Sequence, residues 1–374
     1  MTRVAFCADI HIGNHKRLGG EVVTGLNRRC REVIEVLGRA VDLANAEHCD
    51  GFVVLGDLFD TASPSPQMIA AVMDVLGGFD KQTWLVVGNH EQVSMAMGDH
   101  ALGPLEEGGV AWVIDTPSVV SVARDVDIVL VPFVKDARTS LIPTLRTLIG
   151  GRQPLVIGLH AGIEDDRTQH FLRGSPGAVD LRDLVGLMQE TGVPAVFSGD
   201  WHTHRNWGLH DGDWAMRVMQ LGALCPTGWD NEGVGYGCLA IWDSEDPAVC
   251  SLRTIPGPRF IKVTSEASLR EWCEIDKAKL PRVYIDFVAQ PDQHAAAAAA
   301  VVAALDAGKI AGGVARIEKV AVADAAARAA KAARGEDTLD AALVAFVGEM
   351  TLPDGAVREE VVACARRYLA GGGS

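Results

Sequence analysis

The sequence predicts a layered α/β domain, followed by a small α+β unit and a helical C-terminal region. Three observations carry this. Residues 1 to about 260 alternate short apolar runs with amphipathic segments. The runs at 4–7, 51–55, 83–87, 126–131, 154–159 and 195–197 are apolar nearly throughout, as strands covered on both faces are. Between them, 30–46 and 66–76 repeat apolar residues at helical spacing. Third, nearly every run is followed at once by a polar cluster, and in open α/β sheets ligands collect outside the carboxyl ends of strands.

After Pro256-Gly257-Pro258 the texture changes. Residues 283–288 alternate like a strand, 293–307 form an alanine-rich helix, and 314–322 read as a second strand. Helical patterns then cover 323–334, 338–350 and 355–369. The expected divisions are 1–260 for the layered domain, 261–322 for a small cap-like α/β unit and 323–374 for the helical region.

The chain has 374 residues, 48% of them hydrophobic, enough for a large core and two domains. The formal net charge of -15 argues against a broadly basic nucleic-acid coat. Bound divalent cations can still supply positive charge where a phosphate must sit. The eight cysteines form no CxxC pair, so zinc ribbons and redox motifs are not expected. No apolar run reaches the ~20 residues needed to cross a bilayer. The N-terminus runs directly into a strand pattern with no leader-like segment. A soluble cytoplasmic protein with no membrane partner is expected.

The polar clusters share one chemistry. Asp9-Ile10-His11 follows the first run, Gly56-Asp57 the second, Gly88-Asn89-His90-Glu91 the third, His160 the fifth and Gly199-Asp200-Trp201-His202 the sixth. Two-metal phosphoester hydrolysis needs two cations ~3.5–4 Å apart and a bridging ligand. Carboxylate, imidazole and amide oxygen together suit Mn²⁺, Fe or Zn²⁺ better than an all-oxygen magnesium cage. On a continuing strand Asp9 and His11 would share one face and reach one ion. Asp57 is the candidate bridge, since one carboxylate can serve two ions with its two oxygens. Asn89 can offer a carbonyl oxygen, and His90 beside it can contact the scissile phosphate or protonate the leaving oxygen.

In this order the motifs resemble those of the calcineurin-like metallophosphoesterases, whose pattern runs DxH, GD, GNH with D or E, H, and GHxH. More narrowly, Asp9-Ile10-His11-Ile12-Gly13, Gly56-Asp57-Leu58-Phe59-Asp60 and residues 85–91 resemble the SbcD-type DNA-repair nucleases. Gly222-Ala223-Leu224-Cys225-Pro226-Thr227 is similar to the GSxxPT segment of that branch. The resemblance covers roughly residues 4 to 260, and the rest matches only in position and texture. It implies a metallophosphoesterase β-sandwich flanked by helices, with a small cap and C-terminal helices. It implies that Asp9, His11 and Asp57 hold one manganese-like ion, that Asp57, Asn89 and His160 hold the second, and that His90 is the catalytic histidine. The implied function is a two-metal DNA nuclease, an exonuclease with endonuclease activity, in an SbcCD-like complex. Its implied partners are DNA, an SbcC-like ATPase docked on the last helices, and a second copy in a homodimer. The alternatives are a phosphatase or cyclic-nucleotide phosphodiesterase on the same scaffold, and a catalytically inactive scaffold.

The last motif departs from the pattern. If Gly199 keeps the family glycine position, Asp200 replaces the first histidine and His202 is the second. If the HxH spacing is kept instead, His202 and His204 are the ligands. The first register needs no insertion and is preferred, with His204 then an outer group. It adds a carboxylate to the second ion, which hardens that position.

Other features have double readings. His15, Lys16, Arg17, Arg28, Arg29 and Arg31 could meet phosphates or lie in solvent. Trp201, Trp207, Trp214 and Trp229 could stack on a base or pack in the core. Glu164-Asp165-Asp166 reads as an acidic loop rather than a further metal cluster.

Overall fold

The apolar runs fold into two six-stranded sheets packed face to face, with helices on the outer sides. The computed structural model describes residues 1–317, except 17, 18, 95, 97, 124, 125, 171, 212, 213, 227, 229–236 and 275–281. The helices expected within 323–374 lie outside the described residues, as do Arg17 and Trp229.

In chain order the elements begin with β1 (Arg3–Cys7), the hairpin β2 (Val22–Val23) and β3 (Leu26–Asn27), α1 (Arg28–Ala46) and β4 (Gly51–Leu55). Next come α2 (Pro66–Leu76), β5 (Gln82–Val86), α3 (Gly103–Glu107), β6 (Trp112–Ile114), β7 (Ser118–Ala123) and β8 (Val126–Val131). They continue with α4 (Ala137–Ile149), β9 (Val156–His160), the short strands β10 (Gly162–Glu164) and β11 (Ala178–Asp180), α5 (Leu181–Thr191) and β12 (Ala195–Gly199). The long strands β13 (Arg205–Asp211) and β14 (Trp214–Gln220) precede β15 (Cys238–Asp243) and β16 (Cys250–Thr254).

The first sheet runs β16-β15-β1-β4-β5-β6 and the second β13-β14-β12-β9-β8-β7. The central strands β1, β4 and β5 are parallel, as are β8, β9, β12 and β14. Apart from β14, which carries Arg217 and Gln220, these are the strands whose sequences are apolar nearly throughout, and they are buried on both faces. One face meets the other sheet, where Phe6 stacks on Phe197 with ring centroids 4.8 Å apart. The opposite face of the first sheet packs on α1, α2 and α3, and that of the second on α4 and α5. The helices begin where their caps dictate: Asn27 accepts from the Cys30 N–H, Ser65 from Met68, and Asp180 from Arg182. Pro66 occupies the first turn of α2, where its missing N–H costs nothing.

The small unit comprises β17 (Arg259–Val263), α6 (Glu266–Glu274), β18 (Val283–Ala289), α7 (His294–Asp306) and β19 (Gly312–Ile317), in the sheet order β17-β18-β19. Helix α7 is alanine-rich because alanine has the best helix propensity. It buries Ala297, Val301 and Ala304 against Ile285 and Phe287. On the other side of the sheet, Tyr284 meets the start of α1. The buried Glu32 carboxylate accepts from Tyr284 Oη at 2.8 Å, Arg282 at 2.7 Å and Arg29 at 3.0 Å. Arg29 also donates to the Pro226 carbonyl and lies over the Phe260 and Tyr284 rings. Arg29 is therefore a buried structural cation and not a solvated or phosphate-facing one. No helix among the described residues is long and apolar enough to cross a membrane.

Candidate metal centre

Five loops at the carboxyl ends of β1, β4, β5, β9 and β12 bring the expected residues together. Asp9, His11, Asp57 and His160 are buried, Asp200 and His202 are half-buried, and His90 stands at the mouth with its side chain 39% exposed.

The convergence of Asp9 and His11 does not come from an extended strand. Strand β1 ends at Cys7, and both residues take left-handed backbone, φ 52° and 53°. Asp57 and Asp200 do the same, at φ 54° and 83°. Such angles are uncommon for residues other than glycine, and strained backbone of this kind clusters at functional sites. Backbone bonds hold the turns: Ile10 and His11 N–H both donate to the Asp57 carbonyl at 2.9 Å, and Asp9 N–H donates to the Gly56 carbonyl.

Two motif glycines are required by close approach. A methyl on Gly56, itself at φ 82°, would overlap the His160 ring, and one on Gly88 would overlap the Asp57 carboxylate. The ring of His160 is fixed from behind, where Nδ1 lies 2.7 Å from the Leu55 carbonyl. The Nδ1–H therefore donates there and Nε2 faces the site.

Asp57 reaches two sides at once. Its Oδ1 lies 3.5 Å from His160 Nε2, and its Oδ2 lies 3.6 Å from His11 Nε2 and 4.0 Å from His90 Nε2. Asn89 Oδ1 is 3.0 Å and Asp200 Oδ1 3.9 Å from His160 Nε2. On the other side His202 Nε2 is 2.9 Å from His11 Nε2. The backbone N–H of Asp200 donates to Asp9 Oδ1 at 2.9 Å, so one residue joins the two halves. His204 turns Nδ1 toward the Leu221 carbonyl at 3.1 Å.

The electrostatics match a cation site. Burial pushes the Asp9 carboxyl up to about 7, with Asp57 adding to the rise against the pull of His160 and His11. Burial also opposes charge on Asp57, but His160, His11 and His90 outweigh it and hold this carboxyl far below the ordinary range. The same balance lifts His160 well above its ordinary value: burial disfavours the imidazolium, while Asp57, Asp9 and Asp200 favour it more. Burial lowers His202 to about 4, with His11 adding to the drop. Buried carboxylates here are balanced by protonated imidazoles, a role a divalent cation fills better.

Two atomic details test the fit. The buried Asp9 Oδ2 has no hydrogen-bond partner among the described residues. With Nδ1–H committed to Leu55, His160 Nε2 and Asn89 Oδ1 face each other as two acceptors that need a shared proton or cation. Among the described residues, three groups have donor atoms within 4.8 Å of one another: Asp9, His11 and His202; His11, Asp57 and His90; and Asp9, Asp57 and His160. The residues fit a pair of divalent ions.

Two residues contribute that motif reading passed over. Glu91 is fully buried and accepts from three backbone N–H groups, those of Phe59 and Gly88 at 2.8 Å and Asp57 at 3.1 Å. It ties the Asp57 turn to the Gly88 turn. Asp60 lies 3.3 Å from His11 Nδ1, and its carbonyl lies 3.3 Å from His90 Nδ1. The only sequence signals were their places in the Gly56–Asp60 and Gly88–Glu91 segments.

A profile of the calcineurin-like phosphoesterases matches residues 2–204, more than half of the chain. The chain belongs to the calcineurin-like phosphoesterase family. The activity of this family is metal-dependent hydrolysis of phosphoesters. No curated protein matches the chain. Among solved structures, the protein TT1561 of Thermus thermophilus is similar at 10% identity and a TM-score of 0.42, covering 68% of this chain and 99% of that one. A dimetal phosphatase from Danio rerio is similar at 14% identity and a TM-score of 0.44, covering 64% and 91%.

The surroundings of this phosphoesterase centre resolve several double readings. Glu164 pairs with Arg138, and Asp165 pairs with Arg205 and accepts from Trp207 Nε1 at 3.1 Å, so the acidic loop is a structural clamp. Trp201 packs against Gly162. The seven cysteines among the described residues are free thiols.

Proposed function

We propose that this phosphoesterase is a two-metal DNA phosphodiesterase, the nuclease subunit of an SbcCD-like assembly. The observation that carries the two-metal reading is Asp57, whose two oxygens face separate donor groups. In this reading Asp9, His11, Asp57 and His202 hold the first ion, and Asp57, Asn89, His160 and Asp200 the second. The register in which Asp200 and His202 are ligands is supported by Asp200 Oδ1, 3.9 Å from His160 Nε2, and by the grouping of His202 with Asp9 and His11. Manganese suits the mixed donor set.

The bound ions would polarise the phosphoryl group and provide the nucleophile at neutral pH. The chain itself orients and excludes. Leu55 fixes the tautomer of His160, and Glu91 fixes the turn that carries Asp57. His90, held by the Asp60 carbonyl, in its protonated form presents Nε2–H to a phosphate oxygen or the departing oxygen. Its exposure leaves that nitrogen open to a substrate.

DNA as substrate is supported by the SbcD-like wording of the motifs and by the additional three-stranded unit joined to α1 through Glu32. Small phosphoesters need no such unit. The proposed divisions remain 1–260, 261–322 and 323–374, the last docking an ATPase partner, with the chain acting in the cytoplasm as a homodimer. The test is hydrolysis by the purified protein with Mn²⁺ of linear duplex DNA, single-stranded DNA, a chromogenic phosphodiester and a phosphomonoester. Cleavage of the small substrates but neither DNA would replace the nuclease by a phosphatase or small-molecule phosphodiesterase. No cleavage and no metal uptake would leave an inactive scaffold.

A further inference from the structure

The two halves of the centre offer different donors. The side near His11 presents two imidazoles, His11 and His202, with the carboxylates of Asp9 and Asp57. The side near His160 presents one imidazole and three oxygen donors. His160 Nε2 lies 3.0 Å from Asn89 Oδ1, 3.5 Å from Asp57 Oδ1 and 3.9 Å from Asp200 Oδ1. Imidazole suits borderline ions such as Zn²⁺ and Fe²⁺, whereas carboxylate and carbonyl oxygens suit Mn²⁺ and Mg²⁺. We infer that the two positions are unequal in metal preference, and that Asp200 is the residue that makes the second one the harder. The inference rests on the two-metal reading above.

Asp200 is built into its place. Its backbone is left-handed at φ 83°, a conformation in which aspartate is among the better tolerated side chains. Its N–H donates to Asp9 Oδ1, which aims the side chain away from the first position and toward His160. The side chain is only 19% exposed. A single side chain therefore adds a fixed, partly dehydrated oxygen donor to the His160 side alone. By the general order of divalent affinities Zn²⁺ binds more tightly than Mn²⁺ at either position. The difference lies in the margin, which should be narrower at the His160 side. A centre of this kind keeps one ion firmly and exchanges the other according to which oxygen-preferring cation is abundant.

The experiment is calorimetric titration of the full, metal-free chain with MnCl₂ and ZnCl₂ separately, with electron paramagnetic resonance of the bound Mn²⁺. Wild type should show two binding steps for each ion, with the Zn²⁺-over-Mn²⁺ preference smaller at the weaker step. Asp200→His should raise that preference at the second step by on the order of tenfold, the scale on which changes around a metal ligand act. Asp200→Asn keeps an oxygen donor and should weaken both ions at that step without changing their ratio. Equal preferences at both steps in wild type would overturn the inference, and so would an unchanged ratio in a folded Asp200→His protein. If Asp200→His does not fold, the wild-type ratio and Asp200→Asn still decide. Binding of neither ion would overturn both this inference and the two-metal reading. DNA cleavage by the same samples separates the other cases. Unequal binding without cleavage rejects the nuclease reading alone, and cleavage with equal preferences rejects this inference alone.

Discussion

Removing the Glu91 carboxylate should loosen the centre without touching a proposed metal ligand. Glu91 is 0% exposed and accepts from Asp57 and Gly88 N–H with Oε2 and from Phe59 N–H with Oε1. In Glu91→Ala these three donors lose their acceptor. Each buried donor left unpaired costs ~1–3 kcal/mol. Water entering the space would recover part of that, so the expected loss is about 4 kcal/mol, at the upper end for single substitutions. Glu91→Gln can keep the Asp57 and Gly88 bonds with its amide oxygen, but its NH₂ must then face the Phe59 N–H. One bond becomes a donor–donor contact, and the expected loss is ~1–3 kcal/mol. The assay is denaturant unfolding at pH 8, above the value of about 7 to which burial and Asp57 push this carboxyl, so that wild-type Glu91 is ionised. Mn²⁺ binding should weaken in the same order, Ala more than Gln, because the Asp57 turn is no longer held to the Gly88 turn. An Ala variant with the wild-type unfolding midpoint and Mn²⁺ affinity would refute the reasoning.

His90→Ala should reduce phosphodiester cleavage by ~10²–10⁴-fold, the range for proton transfer and transition-state contacts, while calorimetry finds both metal steps; retained cleavage would remove His90 from the reaction. Gly56→Ala places a methyl against the His160 ring at φ 82° and should cost at least about 2 kcal/mol, with Mn²⁺ affinity falling at the second step; a wild-type melting temperature would contradict this. Glu32→Ala leaves Arg29, 2% exposed, without its carboxylate and should cost ~3–5 kcal/mol, read by denaturant unfolding, whereas an effect under ~1 kcal/mol would mean that the link between α1 and the small sheet is not stabilising. Asp165 is held below its ordinary value of 3.8, since its bonds to Trp207, the Arg167 N–H and Arg205 outweigh burial. A carboxyl lowered in the folded state stabilises above the unfolded value and loses that contribution as pH falls through the folded one. Asp165→Asn should therefore be less stable at neutral pH and show a shallower decline below pH ~4, and an unchanged acid limb would exclude the clamp.

The sandwich was legible because its central strands are buried on both faces. The runs at 51–55 and 126–131 coincide with β4 and β8, and the segment 66–76 with α2. The less legible strands lie at sheet edges or in antiparallel pairs. Strand β7 is half-exposed along its length, and β16 carries Leu252 at 37% exposure, so neither shows a clean apolar run. Strand β17 alternates polar and apolar residues over only five positions. Arg29 was ambiguous for another reason: its acceptors, Glu32 and the Pro226 carbonyl, include one 197 residues away, and no local pattern encodes such a meeting.

The candidate site shows the same limit at closer range. Residue types named the candidate ligands, but the way they converge depends on backbone angles that residue types do not announce. Asp9 and His11 face one point because the strand stops at Cys7 and each residue turns left-handed, not because a pleat carries them. Four left-handed residues in one centre carry a cost of order 1–3 kcal/mol each, and local bonds must offset it. Those bonds come from neighbouring turns: the Asp57 carbonyl takes two N–H groups from the Asp9 turn, Glu91 takes the Asp57 N–H, and Asp9 takes the Asp200 N–H. Each turn is thus held by the next, which explains why the motifs must occur together and why Asp9-Ile10-His11 alone is weak evidence. It also separates two kinds of substitution. Changing a ligand should remove one donor and leave the turns in place. Changing Glu91 or Gly56 should displace several ligands at once, although neither residue is a proposed ligand.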